Sequence, residues 1–269
     1  MRRLFSAFRA AAIGFARDGC AFAAQAVAFN AIFSLFPLSV LGVAAISLVF
    51  HDGTRRLHLL AAAAPTLYRF VASNMHAYAY GRGVSSAIAF LFLLWSGKNL
   101  FLGLAYALDR AFDAPAARPV VHNLVVSIIA LPVVGIALVI ATALPPVLSI
   151  AIQVLHLPDA RHLVQLGGYA VSLLAIFAVS TLLYTFLPSR ALPLRFGIPG
   201  AIFTAVTWPA LQFGFTEYTL HVDVGRIYGA LSAPLALLLW LYLAASVFLY
   251  GAELCVAWER TGRAPKDAV

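Results

Sequence analysis

Long apolar stretches, separated by short polar segments, run along the whole chain. A helix needs about 20 mainly apolar residues to cross the hydrocarbon core of a bilayer, and six stretches approach or exceed that length. They are residues 22–50, 84–108, 124–152, 163–187, 198–215 and 229–249. The pattern therefore predicts an all-α protein, a polytopic transmembrane helical bundle with six spans.

The fifth of these stretches is the shortest, and it contains Pro199 and Pro209. Proline removes a backbone hydrogen bond from a helix and frees a carbonyl group. A bilayer tolerates such a helix where neighbouring helices satisfy the freed groups. We therefore expect an irregular fifth span.

The segments outside the spans carry patterns of their own. In residues 1–21, four arginines alternate with apolar residues at helical spacing. This predicts an amphipathic N-terminal helix on the inner leaflet, with phenylalanines towards the acyl chains; the alternative is a solvated lead-in to the first span. Between spans one and two, the 3 and 4 spacing of apolar residues from Leu57 to Val71 predicts a helical outer connection. Residues 253–269 form a predicted polar cytoplasmic tail, which leaves residues 22–252 as the membrane domain.

Composition narrows the class of protein. Of 269 residues, 63% are hydrophobic and 10% are charged, whereas soluble globular domains are about 45–50% apolar and about 25% charged. This excludes an ordinary soluble enzyme and a disordered chain. Only two cysteines are present, Cys20 and Cys255, so a disulfide-rich scaffold is excluded as well. Both lie at predicted inner ends of spans, and we expect them to be small apolar fillers.

The basic residues set the predicted orientation. The formal net charge is +8, but Lys and Arg are dispersed between the apolar stretches, unlike the clustered face of a nucleic-acid-binding protein. We therefore expect no nucleic-acid partner. With the N-terminus inside, the inner segments hold eleven of the eighteen basic residues and the outer segments hold six. The positive-inside rule then places both termini in the cytoplasm.

The eighteenth basic residue, Lys98, lies inside span two and is followed by Asn99. A charged group in the hydrocarbon core costs about 2.5–3.5 kcal/mol on insertion scales, so it suggests a function. Lys98 could contact an anion or a lipid headgroup in a cavity, or pair with an acid on another helix. Alternatively, its apolar stem could let the ammonium group reach the inner interface.

Other polar residues inside the spans are candidates for a cavity or substrate path. In span one, Asn30 and Ser34 lie one helical turn apart, with Gln25 nearby, and Gln212 lies in span five. They could line a cavity with Lys98 and Asn99. The alternative is hydrogen bonding between packed helices, which contributes about 0.6 kcal/mol for each bond.

An ion pair is expected at the inner side. Glu253 follows span six, and Arg190 and Arg195 lie in the preceding inner connection. Either arginine could pair with Glu253, as a structural clamp between segments or as part of a gate.

Several short elements occur in an order and at separations that are typical of one family. They are YTFLP at residues 184–188, Arg190 and Arg195, Pro199-Gly200-Ala201, Tyr228-Gly229, Trp240-Leu241-Tyr242, Gly251-Ala252-Glu253, and Ser-Leu-Phe-Pro at residues 34–37. From about Phe15 to Glu259, the chain resembles the YihY/BrkB family of bacterial inner-membrane proteins, which also bears the old label ribonuclease BN. The resemblance implies six spans with cytoplasmic termini and does not imply a settled activity.

The ribonuclease label finds little support in the residues. Phosphodiester cleavage needs clustered carboxylates or histidines. Asp109 and Asp113 lie at a predicted inner edge, whereas His51 and Asp52 lie on the outer side, so these residues cannot form one site. No nucleotide-binding loop or hydrolase elbow is present. We therefore expect no catalytic, cofactor-binding or metal site.

Two further hypotheses remain open. In the first, the protein moves or flips an envelope lipid or another amphipathic solute, so that its partners are membrane lipids. In the second, it is a non-catalytic envelope scaffold that recruits a protein partner through the outer helix, or forms a homo-oligomer.

Overall fold

Mainly apolar segments favour helices here, because a helix satisfies its own backbone hydrogen-bonding groups without water. The computed structural model describes residues 2–49, 84–114, 161–190, 193–222 and 229–263, and all regular structure within them is helical. A 3-10 turn at Gly229–Leu231 precedes the last helix. The α-helices are α1 (Arg2–Arg17), α2 (Cys20–Val49), α3 (Val84–Ala111), α4 (Arg161–Phe186), α5 (Leu194–His221) and α6 (Ser232–Arg263).

The all-helical class is therefore confirmed for the described part of the chain. Spans one, two, four, five and six were predicted where α2, α3, α4, α5 and α6 lie. Two stretches of the described helices, Leu166–Phe186 and Ser232–Thr261, are long and apolar enough to cross a membrane. The third span and the outer helix at residues 57–71 fall outside the described residues, and the count of six spans stays a prediction.

Two helices are longer than the spans predicted for them. α5 has 28 residues and continues through both Pro199 and Pro209. α6 continues past the predicted end of span six to Arg263. The first part of the predicted polar tail is thus helical, and residues 253–257 are buried. The sequence explains this burial, because the residues from Leu254 to Trp258 are all apolar.

The chain divides into two units, each of which is described separately. The first comprises Met1–Asn30 and Lys98–Val269, and the second comprises Ala31–Gly97. In the second unit, the Ser34 hydroxyl donates a hydrogen bond to the Ala31 carbonyl oxygen at 2.8 Å. The rings of Phe92 and Trp95 lie 5.5 Å apart in the same unit.

The apolar core of the first unit gathers at one end of its helices. We call this the core end. It combines the start of α2, the end of α3, the end of α4, the start of α5 and the second half of α6. Its buried side chains include Cys20, Ala24, Leu108, Phe112, Tyr184, Ala201, Leu249 and Cys255. Every one of these helix ends was predicted to lie on the inner side of the membrane.

The backbones of α5 and α6 touch at the core end through two glycines. A Cβ atom on Gly251 would lie 2.6 Å from Thr204 Oγ1 and 3.0 Å from the carbonyl oxygen of Gly200. A Cβ atom on Gly200 would overlap the Gly251 carbonyl group. Small residues of this kind let helices approach closely in membranes, so the two glycines fix where α5 and α6 cross.

Tyr184 ties α4 to this crossing. Its side chain is fully buried. Its hydroxyl group lies 2.6 Å from the Phe248 carbonyl oxygen, to which it donates, and 2.8 Å from Thr204 Oγ1. A buried phenol needs such partners, and here they come from two different helices. The YTFLP and Gly-Ala-Glu elements of the sequence thus meet at one three-helix contact.

Helix α1 packs on α6. Ala7 and Ala11 are buried in this contact, and the Tyr250 hydroxyl donates to the Phe8 carbonyl oxygen at 2.9 Å. The larger apolar side chains Phe5 and Ile13 are exposed. The helix therefore packs through small residues together with the rings of Phe8 and Phe15, which lie 5.8 Å from the Phe203 ring and 6.1 Å from the Tyr250 ring.

Candidate functional site

The turn between α1 and α2 begins a charged region at the core end. Gly19 adopts a φ of +65°, which glycine reaches without steric cost. Just before it, Arg17 donates from Nε and Nη2 to the two carboxylate oxygens of Asp18, both at 2.8 Å. These hydrogen bonds hold the pKa of Asp18 below its usual value. Asp18 is therefore compensated by its own neighbour.

Glu253 is a buried acid beside this turn. Its side chain is only 3% exposed. The Cys20 thiol donates to Glu253 Oε1 at 3.4 Å, and the carboxyl group of Asp18 lies near enough to act on Glu253 electrostatically. A Cβ atom on Gly14 would lie 2.9 Å from Glu253 Cδ, so the glycine makes room for the carboxyl group.

Glu253 takes part in none of the ion pairs found among the described residues. A thiol is a weak hydrogen-bond donor, and a buried carboxylate without a cation is costly. The direct contact of the Glu253 carboxyl group with Cys20 is thus a weak one, and Arg17 compensates its charge only at longer range.

A groove of about 450 Å³ runs between α1 and α6, and Glu253 forms part of its wall. This volume lies in the range of small-ligand sites. One wall is mainly apolar, and charged and hydroxyl groups line the rest. The lining residues are Ser6, Ala10, Ile13, Gly14, Arg17, Glu253, Val256, Ala257, Arg260 and Thr261.

Asp113 joins the two arginines of this groove. It follows the end of α3 with a φ of +46°, a conformation in which aspartate is enriched among non-glycine residues. Its carboxylate accepts a hydrogen bond from Arg260 and lies 3.8 Å from Nη2 of Arg17. All three side chains are more than half exposed. Exposed pairs of this kind are weak, so both guanidinium groups can exchange partners.

Two further contacts tie the bend after α4 to its neighbours. Asp109 accepts hydrogen bonds from the backbone N–H and the hydroxyl group of Ser189, at 2.5 and 2.6 Å. Arg190 donates to Glu259 at 3.0 Å and to the Phe112 carbonyl oxygen at 3.3 Å. These bonds connect the ends of α3, α4 and α6.

The predicted ion pair between Arg190 or Arg195 and Glu253 is not the one that the structure contains. Arg190 pairs with Glu259, and Arg195 lies 4.8 Å from the ring centre of its neighbour Phe196. The physical reason is that α6 stays helical beyond residue 253. Six residues of helix turn through about 600°, which places Glu253 and Glu259 on different faces. Glu259 faces the bend after α4, and Glu253 faces α1.

The acids of the core end are thus occupied in holding segments together. Asp109 and Asp113, the carboxylates considered for phosphodiester cleavage, bind Ser189 and two arginines respectively. Within the described ranges, no three His, Cys, Asp or Glu side chains are grouped so that they could hold a metal ion. Both cysteines are free and buried. What the arrangement offers chemically is a charged, partly apolar groove.

Residues 11–268 match the model of the family described as Virulence factor BrkB. The chain belongs to the BrkB family. The resemblance inferred from the short sequence elements is thereby confirmed. For BrkB proteins, the ribonuclease label is a legacy name.

Two of the following three relatives carry membrane-protein names, and the third is named ribonuclease-like. A UPF0761 membrane protein of Pseudoalteromonas translucida is 27% identical over 252 residues, which is 89% of this chain and 82% of the relative. A UPF0761 membrane protein of Xanthomonas campestris is 25% identical over 86% of this chain, which spans only 56% of that relative. The ribonuclease-like protein YfkH of Bacillus subtilis is 24% identical over 65% of this chain and 66% of its own length. No solved structure matches the chain.

In this BrkB protein, one of the predicted cavity residues, Asn30, lies against the helix that carries two others, Lys98 and Asn99. Asn30 on α2 contacts α3 at Gly103, where a Cβ atom would lie 3.4 Å from Asn30 Nδ2. Asn99 lies one turn before Gly103 on the same face of α3, and Lys98 and Asn99 are both half-buried. This group belongs to the first unit.

The remaining predicted cavity residues are placed elsewhere. Gln25 and Gln212 are exposed on α2 and α5. Ser34 belongs to the second unit, where its hydroxyl group bonds to its own helix. That hydrogen bond is the local alternative to lining a cavity.

Several residues of the charged region were not singled out by the sequence. The spacing of these residues along the chain does not reveal which partners they contact. They are Asp18, Gly14, Ser189 and Glu259. Cys20 was expected to be an apolar filler, yet it donates a hydrogen bond to Glu253. The one available signal was the acid itself, because Glu253 and Glu259 interrupt an apolar segment.

Proposed function

We propose that this BrkB protein is an integral protein of the bacterial inner membrane that moves an amphipathic envelope molecule, such as a lipid or a lipid-linked precursor, between leaflets. The family and its relatives support the membrane location. The observation that carries the transport proposal is Lys98 on the apolar helix α3.

Lys98 is a charge whose position fits a function better than a structural role. It is half-buried, and no ion-pair partner for it lies among the described residues. Lysine within a membrane helix is costly unless it faces a partner or a watery cavity. A lipid phosphate that passes along α3 would supply a transient partner for the ammonium group.

The surroundings of Lys98 favour a polar path over tight packing. Asn99 and Gly103 share a face of α3, and the Asn30 amide group lies against that face. Amide groups can donate to a phosphate and also accept from a hydroxyl group. The small residue at position 103 lets this amide group lie against the backbone of α3.

The core end supports the same proposal at the other end of the path. The contacts Arg190–Glu259 and Asp109–Ser189 hold three helix ends together. If the core end faces the cytoplasm, these contacts close the inner side of the bundle, as a gate would. Basic residues at that side also attract anionic headgroups.

The test is transport by the purified protein in vesicles that carry a phospholipid with a fluorescent nitrobenzoxadiazole group. Dithionite bleaches only the outer leaflet, so bleaching beyond about half of the dye reports movement between leaflets. Wild type should exceed protein-free vesicles, and Lys98→Ala should lose most of that excess. Lys266→Ala removes the chain's other lysine and should behave as wild type. Equal bleaching by wild type and Lys98→Ala would reject the role of Lys98, and no excess in wild type would reject the proposal.

A further inference from the structure

We propose that the groove between α1 and α6 binds a zwitterionic phospholipid whose headgroup carries a primary ammonium group. The ammonium group would bind Glu253, and the phosphate would bind Arg17 and Arg260. This inference rests on the proposed handling of an envelope lipid, and it names the class of lipid.

Glu253 is the residue that would select a headgroup with a cationic group. The carboxyl group is almost fully buried, forms part of the groove wall, and takes part in none of the ion pairs among the described residues; Arg17 acts on it at longer range. The nearby carboxyl group of Asp18 disfavours a second negative charge, so a ligand cation is favourable here. A primary ammonium group offers up to three hydrogen-bond donors, whereas a quaternary ammonium group offers none.

Arg17 and Arg260 are the residues that would bind the phosphate of the headgroup. Both line the groove, and both lie close to the carboxylate of Asp113. Guanidinium groups bind phosphate with paired hydrogen bonds. Because the three side chains are more than half exposed, a phosphate can take the place of Asp113 at little cost.

The spacing on α6 suits one small headgroup. Glu253 and Arg260 are seven residues apart, or about two turns, so they lie on the same face. The groove of about 450 Å³ is large enough for a small polar headgroup. The groove therefore contains an acidic group for the ammonium group and basic groups for the phosphate of an amino-alkyl phosphate.

The apolar wall favours a lipid over a free headgroup. Ala10, Val256 and Ala257 line the groove, and the exposed Ile13 lies at its edge. Phe5 is exposed on the same helix. An acyl chain could cover the exposed Ala10, Ile13 and Phe5, whereas soluble phosphoethanolamine would leave them in water.

The test measures binding to the purified full chain in detergent, by calorimetric titration. Short-chain phosphatidylethanolamine, phosphatidylcholine and phosphatidylglycerol are compared, and soluble phosphoethanolamine separates the lipid from the free headgroup. We expect phosphatidylethanolamine to bind about tenfold more tightly than the other two lipids, since a hydrogen bond between charged groups is worth that factor or more. Phosphoethanolamine should bind most weakly.

Two substitutions test the binding of the ammonium group and of the phosphate group separately. Glu253→Gln keeps the shape of the side chain and should abolish the preference for phosphatidylethanolamine while phospholipid binding persists. Arg260→Gln should weaken all three lipids about tenfold. Glu217→Gln and Arg195→Gln change an exposed acid and an exposed arginine outside the groove, and both should bind as wild type. Circular dichroism and thermal unfolding show whether each variant is folded.

The outcomes separate this inference from the transport proposal. Equal affinities for the three lipids, or an unchanged preference in folded Glu253→Gln, would overturn the groove assignment, and Asp18 and Glu253 would then be neighbouring acids that hold no ligand. Preferential binding that Glu253→Gln abolishes supports the assignment even if vesicles show no transport. Transport without a lipid preference leaves the Lys98 proposal intact and rejects the groove.

Discussion

The two glycines at the crossing of α5 and α6 show how much a single hydrogen atom decides in this protein. A Cβ atom on Gly200 would overlap the backbone of Gly251, and one on Gly251 would overlap the hydroxyl groups of Tyr184 and Thr204 and lie 3.0 Å from the Gly200 carbonyl oxygen. The overlap at Gly200 involves backbone atoms, which cannot rotate away as a flexible side chain could. The cost of a methyl group here falls on the position of the helices.

We predict that Gly200→Ala destabilises the protein by about 1–3 kcal/mol, the usual cost of overpacking. Gly214→Ala, also on α5, is the matched control, because nothing lies within 4 Å of its added Cβ atom. The control should be neutral or more stable by up to about 1 kcal/mol, since alanine favours helix over glycine. Thermal unfolding in detergent compares the two. Equal midpoints would show that α5 and α6 do not meet at these glycines.

The sequence predicts part of this arrangement and misses the rest for a clear reason. Gly200 and Gly251 belong to the short elements that resemble the family, so their importance was visible. Gly214 also lies in an apolar stretch of the sequence, yet it faces open space. Spacing along one helix does not say which residue of another helix lies opposite. The same limit explains why Glu253 was paired with Arg190 and not with Cys20.

At the scale of elements, α1 is the helix whose role the sequence described least. Its alternation of arginine and apolar residues predicted an amphipathic helix, and a helix is present from Arg2 to Arg17. The periodicity marks the large apolar side chains, whereas the face that packs on α6 consists mainly of the small residues Ala7, Ala11 and Gly14, beside the ring of Phe15. Alanine and glycine contribute little to hydropathy, so this second face did not stand out.

We predict that Ala11→Leu separates α1 from α6, because Ala11 is 1% exposed and has no room for a larger side chain. Separation would open the groove and uncover Cys20, which lies just beyond the turn. The rate at which maleimide labels Cys20 should rise about tenfold, the effect of about 1.4 kcal/mol on local opening. Ala12→Leu is the control, since Ala12 is exposed on the adjacent position. If both variants label Cys20 at the wild-type rate, α1 is not held by this face.

At the scale of the whole molecule, the core end gathers helix ends that the charge pattern predicts to lie on one side of the membrane. The start of α2, the ends of α3 and α4, the start of α5 and the second half of α6 share one core. The sequence had assigned those helix ends to the inner side by counting arginines and lysines, without any knowledge of packing. The agreement arises because consecutive spans alternate in direction along the chain, and the hydropathy pattern locates the spans well. It does not by itself say which side of the membrane the core end occupies.

We predict that the core end faces the cytoplasm, and α5 allows a direct test. Leu194 at its start and Leu220 at its end are 55% and 72% exposed, and the 26 residues between them span about 39 Å of helix, more than the roughly 30 Å hydrocarbon core. Each leucine is replaced by cysteine in the full chain, where Cys20 and Cys255 are buried. A membrane-impermeant maleimide added to intact spheroplasts should label Leu220→Cys, and should reach Leu194→Cys only after lysis. The reverse pattern would place the termini outside, and labelling of both from outside would mean that α5 does not cross the membrane.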